Sequence, residues 1–244
     1  MIVGSAVRFT LPFGPDHPSA LIARNNLAIL RGDVGDAAGA ADAFADLLKR
    51  MIRVMGEDRP NTLITRGNLA TWRGEAGDAA GAADAFADLL KRMIRVLGED
   101  HPNTLGTRSN LAAWRGRSGD AAGAADALTD LLTDQIRVLG EDHPNTLTTR
   151  SNLATLRGEA GDAAGAAEAY EQLLVARQRA MGEQHPSTFA AWGSLAYWRG
   201  RSGDTAGAAA VTAQLLERMV QVLGEKHPHL WVLRQNLAHW RDHS

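Results

Sequence analysis

Between Asp78 and Gly98, hydrophobic residues recur at the spacing of an α-helix. The apolar positions, three or four residues apart, are Ala82, Phe86, Leu89, Leu90, Met93 and Leu97. Such spacing places them on one face of an α-helix, and the charged residues between them fall on the other face. Asp78 is a favourable N-cap, because its carboxylate accepts free backbone N–H groups of the first turn. The pattern predicts a helix over Ala79–Leu97 that Gly98 ends.

A shorter helical pattern precedes this helix. Pro60 suits the first helical position, where its missing N–H removes no hydrogen bond, and Asn61–Arg73 follow as a predicted helix. Gly74–Gly77 then interrupt the pattern. Strands are not expected, because β-branched residues are sparse and do not alternate with a period of two. The two helices therefore form a hairpin, and one hairpin alone leaves its apolar face in water.

This hairpin is repeated along the chain. A dipeptide of His or Arg followed by Pro starts each copy, at residues 17, 59, 101, 143, 185 and 227, always 42 residues apart. Stacked copies bury the apolar faces that single copies expose. The sequence therefore predicts an all-α fold, a right-handed α-solenoid of antiparallel helix-turn-helix repeats. We expect an irregular segment and partial repeat over 1–16, five repeats over 17–226, and a terminal capping helix over 227–244.

The repeat resembles the tetratricopeptide repeat, in the 42-residue form of kinesin light chains and of many actinobacterial repeat proteins. The matching residues are Asn68-Leu69-Ala70 in the first helix, Gly77 at the turn, Ala82 and Phe86 in the second helix, and the linker over 98–102. The resemblance implies that first helices line the concave side of the array and bind a protein or peptide there. It also implies a context for such arrays as sensors or scaffolds attached to signalling NTPases.

One face of the first helices varies between repeats and is the candidate binding face. In the second repeat it contains Ile64, Gly67, Asn68 and Thr71, and in the first repeat Ile22, Asn25, Asn26 and Ile29. An asparagine recurs at the position of Asn68 in every first helix except one, where Ser194 replaces it. The residues expected to contact a peptide on this concave face are Asn26, Asn68, Asn110, Asn152, Ser194, Asn236, Thr71, Thr155, Tyr197 and His239.

Asparagine suits such a face because its amide offers both donors and an acceptor to a peptide backbone. The alternative is that each asparagine bonds a neighbouring helix or caps local backbone. No Lys or Arg occupies the candidate face in any repeat, so a clamp for a partner's terminal carboxylate is not expected. Small residues in the middle repeats, such as Gly106 and Ser151, leave room for a bulky guest.

Composition narrows the classes of function further. The net charge of −2 is set by 26 basic and 28 acidic residues, which gives no electrostatic reason to bind nucleic acid or acidic lipid. Cysteine is absent, and there is no signal peptide or membrane span, so we expect a cytoplasmic protein. No phosphate-binding loop, nucleophile motif or metal signature is present. We therefore expect neither an enzyme nor a cofactor.

Two recurring features are expected to be structural. A glycine near the start of each second helix, such as Gly81, suggests a close approach of helix on helix. Arginine pairs such as Arg66 and Arg73 are expected to form salt bridges with a neighbouring helix, for example at Asp84, or to stack on Trp72 and its equivalents. An alternative function is self-association, in which exposed ends of the solenoid stack chain on chain. The chain could also be the sensor part of a larger signalling protein.

Overall fold

A computed structural model describes Gly14 and residues 16–243 of the 244-residue chain. The described residues form eleven α-helices joined by short linkers, and no strand occurs among them. The first helices of successive repeats are α1 (Pro18–Asp33), α3 (Pro60–Glu75), α5 (Pro102–Arg117), α7 (Pro144–Glu159), α9 (Pro186–Arg201) and α11 (His229–Asp242). The second helices are α2 (Ala37–Met55), α4 (Ala79–Leu97), α6 (Ala121–Leu139), α8 (Ala163–Met181) and α10 (Thr205–Leu223). The predicted all-α fold of the α-solenoid class is confirmed.

The helices belong to two compact units, an N-terminal unit (Met1–Ser118) and a C-terminal unit (Gly119–Ser244). In the N-terminal unit each helix from α1 to α5 packs on the next, and in the C-terminal unit the same holds from α6 to α11. The domain bounds proposed from the sequence stay predictions. The irregular segment expected over 1–16 lies outside the described residues, apart from Gly14 and Asp16.

The His-Pro dipeptide starts a helix in the first, third, fourth and fifth repeats. The Nδ1 atom of His17 accepts the backbone N–H of Ser19 at 3.2 Å, and His101 accepts that of Asn103 at 3.1 Å. Each bond satisfies one of the free N–H groups in the first turn of the helix. Arg59, which replaces the histidine in the second repeat, makes no such bond.

The second helices start and end where the sequence predicts. Asp78 accepts the backbone N–H of Gly81 at 2.9 Å, and the equivalent aspartates of the other repeats do the same. Gly98 ends the helix at a φ of 91°, which favours glycine over any residue with a Cβ atom. The first helix of the second repeat is longer than predicted, because it continues to Glu75. Gly74 therefore lies inside the helix rather than in the turn.

Glycines allow a close approach of helix on helix at two places in the repeat, of which the sequence predicts one. A Cβ atom on Gly81 would meet the carboxylate of Asp78, the N-cap of its own helix. A Cβ atom on the equivalent Gly39 would also meet the guanidinium of Arg31 on the preceding first helix. A Cβ atom on Gly74 would instead overlap the indole ring of Trp114, which belongs to the next repeat. The same contact recurs between Gly32 and Trp72, and in the C-terminal unit at the glycines of α7 and α9. The tryptophans at this place in the repeat thus pack against the preceding first helix, and Trp114 and Trp198 are buried there.

The predicted apolar stripe of the second helices forms the core. In the second repeat Ala82, Phe86 and Leu89 are buried and share a cluster with Leu63 and Ala70 of the first helix. The C-terminal unit has an equivalent cluster in which Tyr170 of α8 takes the place of phenylalanine. Burial of these side chains is the main stabilising term of each hairpin, at about 1.5–3 kcal/mol per large apolar side chain.

Members of the arginine pairs form salt bridges as expected, although Asp84 is not the acidic partner. Arg31 and Arg157 each donate to the N-cap aspartate of the following second helix, Asp36 and Asp162 respectively. Arg66 lies 3.5 Å from Glu57 in the preceding linker. The cation stacked on a tryptophan in the N-terminal unit is Arg117, outside the pairs, which lies 4.2 Å from the ring centre of Trp114. The arginines therefore tie helix ends and linkers together, and Asp84 is not their partner.

These cap ion pairs predict a dependence of stability on pH. The backbone N–H of Gly39 and then the guanidinium of Arg31 hold the pKa of Asp36 below its ordinary 3.8. The equivalent groups of the fourth repeat, the N–H of Gly165 and then the guanidinium of Arg157, lower the pKa of Asp162. A carboxyl group whose pKa is lower in the folded state stabilises the fold above its unfolded pKa and loses that contribution as the pH falls. We expect the urea midpoint to fall between about pH 5 and pH 3.

The replacement of both aspartates by asparagine tests this origin. Asparagine caps helices about as well as aspartate but does not titrate. The double variant Asp36→Asn, Asp162→Asn should therefore show a smaller fall of the urea midpoint over the same pH range, followed by circular dichroism. If the urea midpoint of the double variant falls as much as that of the wild type, then other groups cause the acid sensitivity.

Candidate functional site

The candidate binding face is accessible to solvent in both units. Among the residues predicted to contact a peptide, Asn26, Asn110, Asn236, Tyr197 and His239 are exposed. The remaining ones are half-buried and are Asn68, Asn152, Ser194, Thr71 and Thr155. None of the ten is fully buried, so each has surface available to a ligand.

The recurring asparagines do not all have the same surroundings. Asn68 donates from Nδ2 to Oδ1 of Asn25 on the preceding first helix, at 3.3 Å. Asn25 in turn lies 3.4 Å from Oδ1 of Asn26. The three amides form a short chain across α1 and α3, which gives Asn68 a structural role between repeats. The outer members of the chain keep hydrogen-bonding capacity, since an amide has two donor hydrogens and two acceptor lone pairs.

An apolar pocket lies beside this amide chain. It has a volume of about 230 Å³ and opens between α1 and α3, with the end of α2 as its floor. The lining residues are Pro18, Leu21, Ile22, Asn25, Met51, Met55, Asn61, Ile64 and Thr65. Ile22 and Ile64 form the rim and are 60% and 44% exposed. We call this the anchor pocket.

Sequence reasoning identified the rim of the anchor pocket but not its floor. Ile22 and Ile64 belong to the face that varies between repeats, as does Asn25. Met51 and Met55 were not identified, because both continue the apolar stripe of a second helix and so indicate core. The length of that stripe was the available signal. It continues to the last turn of α2, where Met51 and Met55 line the anchor pocket.

The same face of the C-terminal unit is more polar. The hydroxyl of Tyr170 lies 2.7 Å from Oγ1 of Thr155 and 3.0 Å from Oγ of Ser151. These bonds tie two residues of the face to the core beneath them. Tyr197 packs edge-on against Trp198, at 4.9 Å between ring centres, and keeps 48% of its surface exposed. The C-terminal unit thus presents hydroxyl groups and one aromatic edge where the N-terminal unit presents an apolar pocket.

Within the described residues no group of three or more His, Cys, Asp or Glu side chains is placed to hold a metal ion. Among the helices described above, none has both the length and the apolar character needed to cross a bilayer.

Comparison with known proteins agrees with the repeat architecture. Family profiles described as tetratricopeptide repeat match residues 19–94, 104–145 and 146–187. No match to the sequence was found among curated proteins.

Solved structures share the fold at low sequence identity. Nearly identical TPR-like repeats of a Podosopora anserina kinesin light chain superpose with a TM-score of 0.68 at 21% identity, over 86% of this chain and 99% of that one. BtubC (BKLC) from P. vanneervenii gives the same score and identity, over 86% of this chain and 83% of that one. NprR in complex with its cognate peptide NprX gives a TM-score of 0.63 at 12% identity, over 91% and 59% of the two chains. The profile matches cover more than half of the sequence, and the chain belongs to the tetratricopeptide repeat family.

Proposed function

We propose that the chain is a protein-interaction scaffold that binds a peptide segment of its partner on the candidate binding face, with the anchor pocket as the main contact. The observation that carries this proposal is the pairing of an apolar pocket with exposed amides on one surface. NprR, a protein of the same fold, is solved with a peptide bound, which makes a peptide the natural class of ligand.

The size of the anchor pocket favours a side chain over a small molecule. Pockets for drug-sized ligands measure about 300–1,000 Å³, whereas this one is about 230 Å³ and open on one side. Its walls are aliphatic and thioether groups, so it suits a leucine, isoleucine or phenylalanine side chain. Methionines such as Met51 and Met55 adapt their shape to different guests, because the side chain is unbranched and polarisable.

The amides beside the pocket suit the backbone of the same peptide. Asn25 and Asn61 line the pocket, and a carboxamide can accept a peptide N–H and donate to a peptide C=O. Each such bond contributes about 0.5–1.5 kcal/mol net. Because no lysine or arginine occupies the face, recognition depends on an internal apolar residue of the peptide rather than on its terminal carboxylate.

A library of random linear peptides displayed on phage tests the proposal. Peptides selected on the wild-type chain should share one branched aliphatic or aromatic residue. We expect Ile64→Glu to weaken their binding at least tenfold, about 1.4 kcal/mol, because it places a charge on the rim of the anchor pocket. The affinity is measured by fluorescence anisotropy with labelled peptides.

A matched control separates the pocket from general effects of the substitution. Val175 on α8 is 61% exposed and lies outside the candidate face, so Val175→Glu should leave the affinity unchanged. Circular dichroism confirms that both variants are folded. Equal binding to wild type and to folded Ile64→Glu would refute the anchor pocket, and so would a selection without a common apolar residue.

A further inference from the structure

A pocket of the C-terminal unit lies on the side of α7 opposite the candidate binding face. It has a volume of about 180 Å³ and lies between α6, α7 and α8. Arg157 lines it, two residues from Thr155 of the candidate face, and residues two apart on a helix point about 200° apart. The apolar walls are Leu132, Leu153, Ala154 and Ala169, and the polar groups belong to Arg150, Arg157 and Gln172. We call this the outer pocket.

The N-terminal unit has a pocket at the equivalent place. A cavity of about 230 Å³ lies there between α2, α3 and α4. Each of the residues that line the outer pocket has a counterpart, two repeats earlier in the sequence, among the residues that line this cavity. The pocket is therefore a feature of the repeat itself, and its two copies differ in the charges that they contain.

Carboxylates of the chain itself accompany the arginines of the N-terminal copy. Asp88 of α4 lines the cavity together with Arg66 and Arg92. Glu57 of the preceding linker lies 3.5 Å from Arg66 and 2.9 Å from Arg92. The cations of this copy therefore already have anionic neighbours, and the cavity offers little to a further anion.

The outer pocket lacks these carboxylates. Gln172 stands at the place of Asp88, and Glu141, the counterpart of the linker glutamate, makes no ion pair with Arg150. In the part of the chain that the structure describes, Arg150 has no hydrogen-bond or ion-pair partner, although it is half-buried. An anion gains more from such a cation than from one in open water, because the apolar walls lower the local dielectric.

The fifth repeat shows that this place in the repeat accepts an aromatic ring. Trp192 stands where Arg150 stands in the fourth repeat, and it is only 5% exposed. The guanidinium of Arg218 lies 5.2 Å from its ring centre. The helices at this place therefore enclose a planar aromatic group beside a cation, which indicates the kind of body that a ligand of the outer pocket has.

We propose that the outer pocket binds a small aromatic monocarboxylate, whose ring packs on the apolar walls and whose carboxylate accepts hydrogen bonds from Arg150 and Gln172. One negative charge matches the site, because Arg157 is already paired with Asp162. The volume lies below the range of about 300–1,000 Å³ for drug-sized ligands, which limits the ligand to about one ring. A glutamate side chain of a partner would bring only two methylene groups to the walls, so a free acid fits better.

Benzoate is the probe for the test. It is added to the ¹⁵N-labelled chain, and backbone amide shifts are followed by NMR, which detects weak complexes. We expect shifts concentrated on α7 and α8 around the outer pocket, and a response that decreases as salt is added. Benzamide has nearly the same shape without the charge and should bind at least tenfold more weakly.

Two variants with residues that other repeats carry at the same places locate the site. Gln172→Asp copies Asp88 and brings a carboxylate into the outer pocket. Arg150→Trp copies Trp192, which removes the cation and fills the space with a ring. Each should weaken benzoate binding at least tenfold while the spectrum of the free chain keeps its dispersion, because the fold already accepts both residues.

Two controls in the N-terminal unit should leave benzoate binding unchanged. Arg66→Gln removes the matched arginine of the equivalent cavity, and Ile64→Glu alters the anchor pocket. Four outcomes would overturn the proposal. They are the absence of shifts around the outer pocket, an equal response to benzamide, equal shifts around Arg66 and Arg150, and tighter binding of N-acetylglutamate amide than of benzoate. The last result would assign the pocket to an acidic side chain of a partner protein.

Discussion

Gly74→Ala should lower the free energy of unfolding by about 2–3 kcal/mol, although alanine is the better helix former. The added methyl group would overlap the Cη2 and Cζ3 atoms of Trp114, and Trp114 is buried, at 5% exposed. Overpacking of a core costs about 1–3 kcal/mol, and here both the backbone of α3 and the indole ring are held by neighbouring helices. Urea unfolding followed by circular dichroism measures the difference.

Glycines of the same chain provide the control for helix propensity. Gly106 lies within α5 and Gly193 within α9, and a Cβ atom on either would have no neighbour within 4 Å. Gly106→Ala and Gly193→Ala should each raise the free energy of unfolding by about 0.5–1 kcal/mol. If Gly74→Ala destabilises the fold while Gly106→Ala and Gly193→Ala stabilise it, then steric overlap, and not helix propensity, determines the effect of Gly74→Ala.

A second substitution tests the partner of Gly74 directly. Leucine stands in place of tryptophan at Leu30 and Leu156, so the fold accepts the smaller residue at this place in the repeat. Trp114→Leu should therefore be less harmful in the Gly74→Ala background than in the wild type. If the two substitutions were simply additive, the contact between the methyl group and the ring would not be the cause of the loss.

The sequence predicted the helices well because their signals are local. The bounds of α4 follow from Asp78 at its start and Gly98 at its end, and both act on backbone within one turn. The apolar stripe of the second helices follows equally from spacing. The first helix was predicted too short, since Gly74 has the residue type of a helix terminator and its partner is 40 residues away.

The candidate site was less predictable, because it depends on which side chains meet across repeats. Variation between repeats identified the face and the rim residues Ile22 and Ile64. It did not show that Asn68 donates to Asn25, since this bond joins two helices whose relative rotation is set by packing. The exposure of Trp231, at 65%, was also missed, because its apolar character matches that of Leu63, and only the packing distinguishes a buried position from an open one.

The buried end of α6 departs from the rest of the array. Gln135 is 1% exposed and occupies the place of Met51 and Met93, which are core residues. Its Oε1 atom has no hydrogen-bond partner within the protein, and the same is true of the hydroxyls of Thr146 and Thr149. The equivalent threonines of the second repeat are bonded, Thr62 to a backbone carbonyl of the preceding linker and Thr65 to one of its own helix. The junction of α6 and α7 thus concentrates three unsatisfied polar atoms.

Gln135→Met should therefore raise the free energy of unfolding by about 2 kcal/mol. A buried polar group without a partner costs about 1–3 kcal/mol, and methionine has a similar length and shape, so the substitution creates neither a cavity nor an overlap. The matched control is the reverse change, Met93→Gln, in the N-terminal unit, where Met93 is 3% exposed in an apolar cluster. It should lower the free energy of unfolding by a similar amount, and urea unfolding measures both.

The opposite result for Gln135→Met would be equally informative about α6. A neutral or destabilising effect, with Met93→Gln still destabilising, would show that the Gln135 amide is bonded in solution. A buried water is the expected partner in that case, because such waters bond buried polar groups that the protein leaves unsatisfied. Gln135→Met, Thr149→Val would then recover the stability that Gln135→Met alone does not, since it removes two of the three polar groups together.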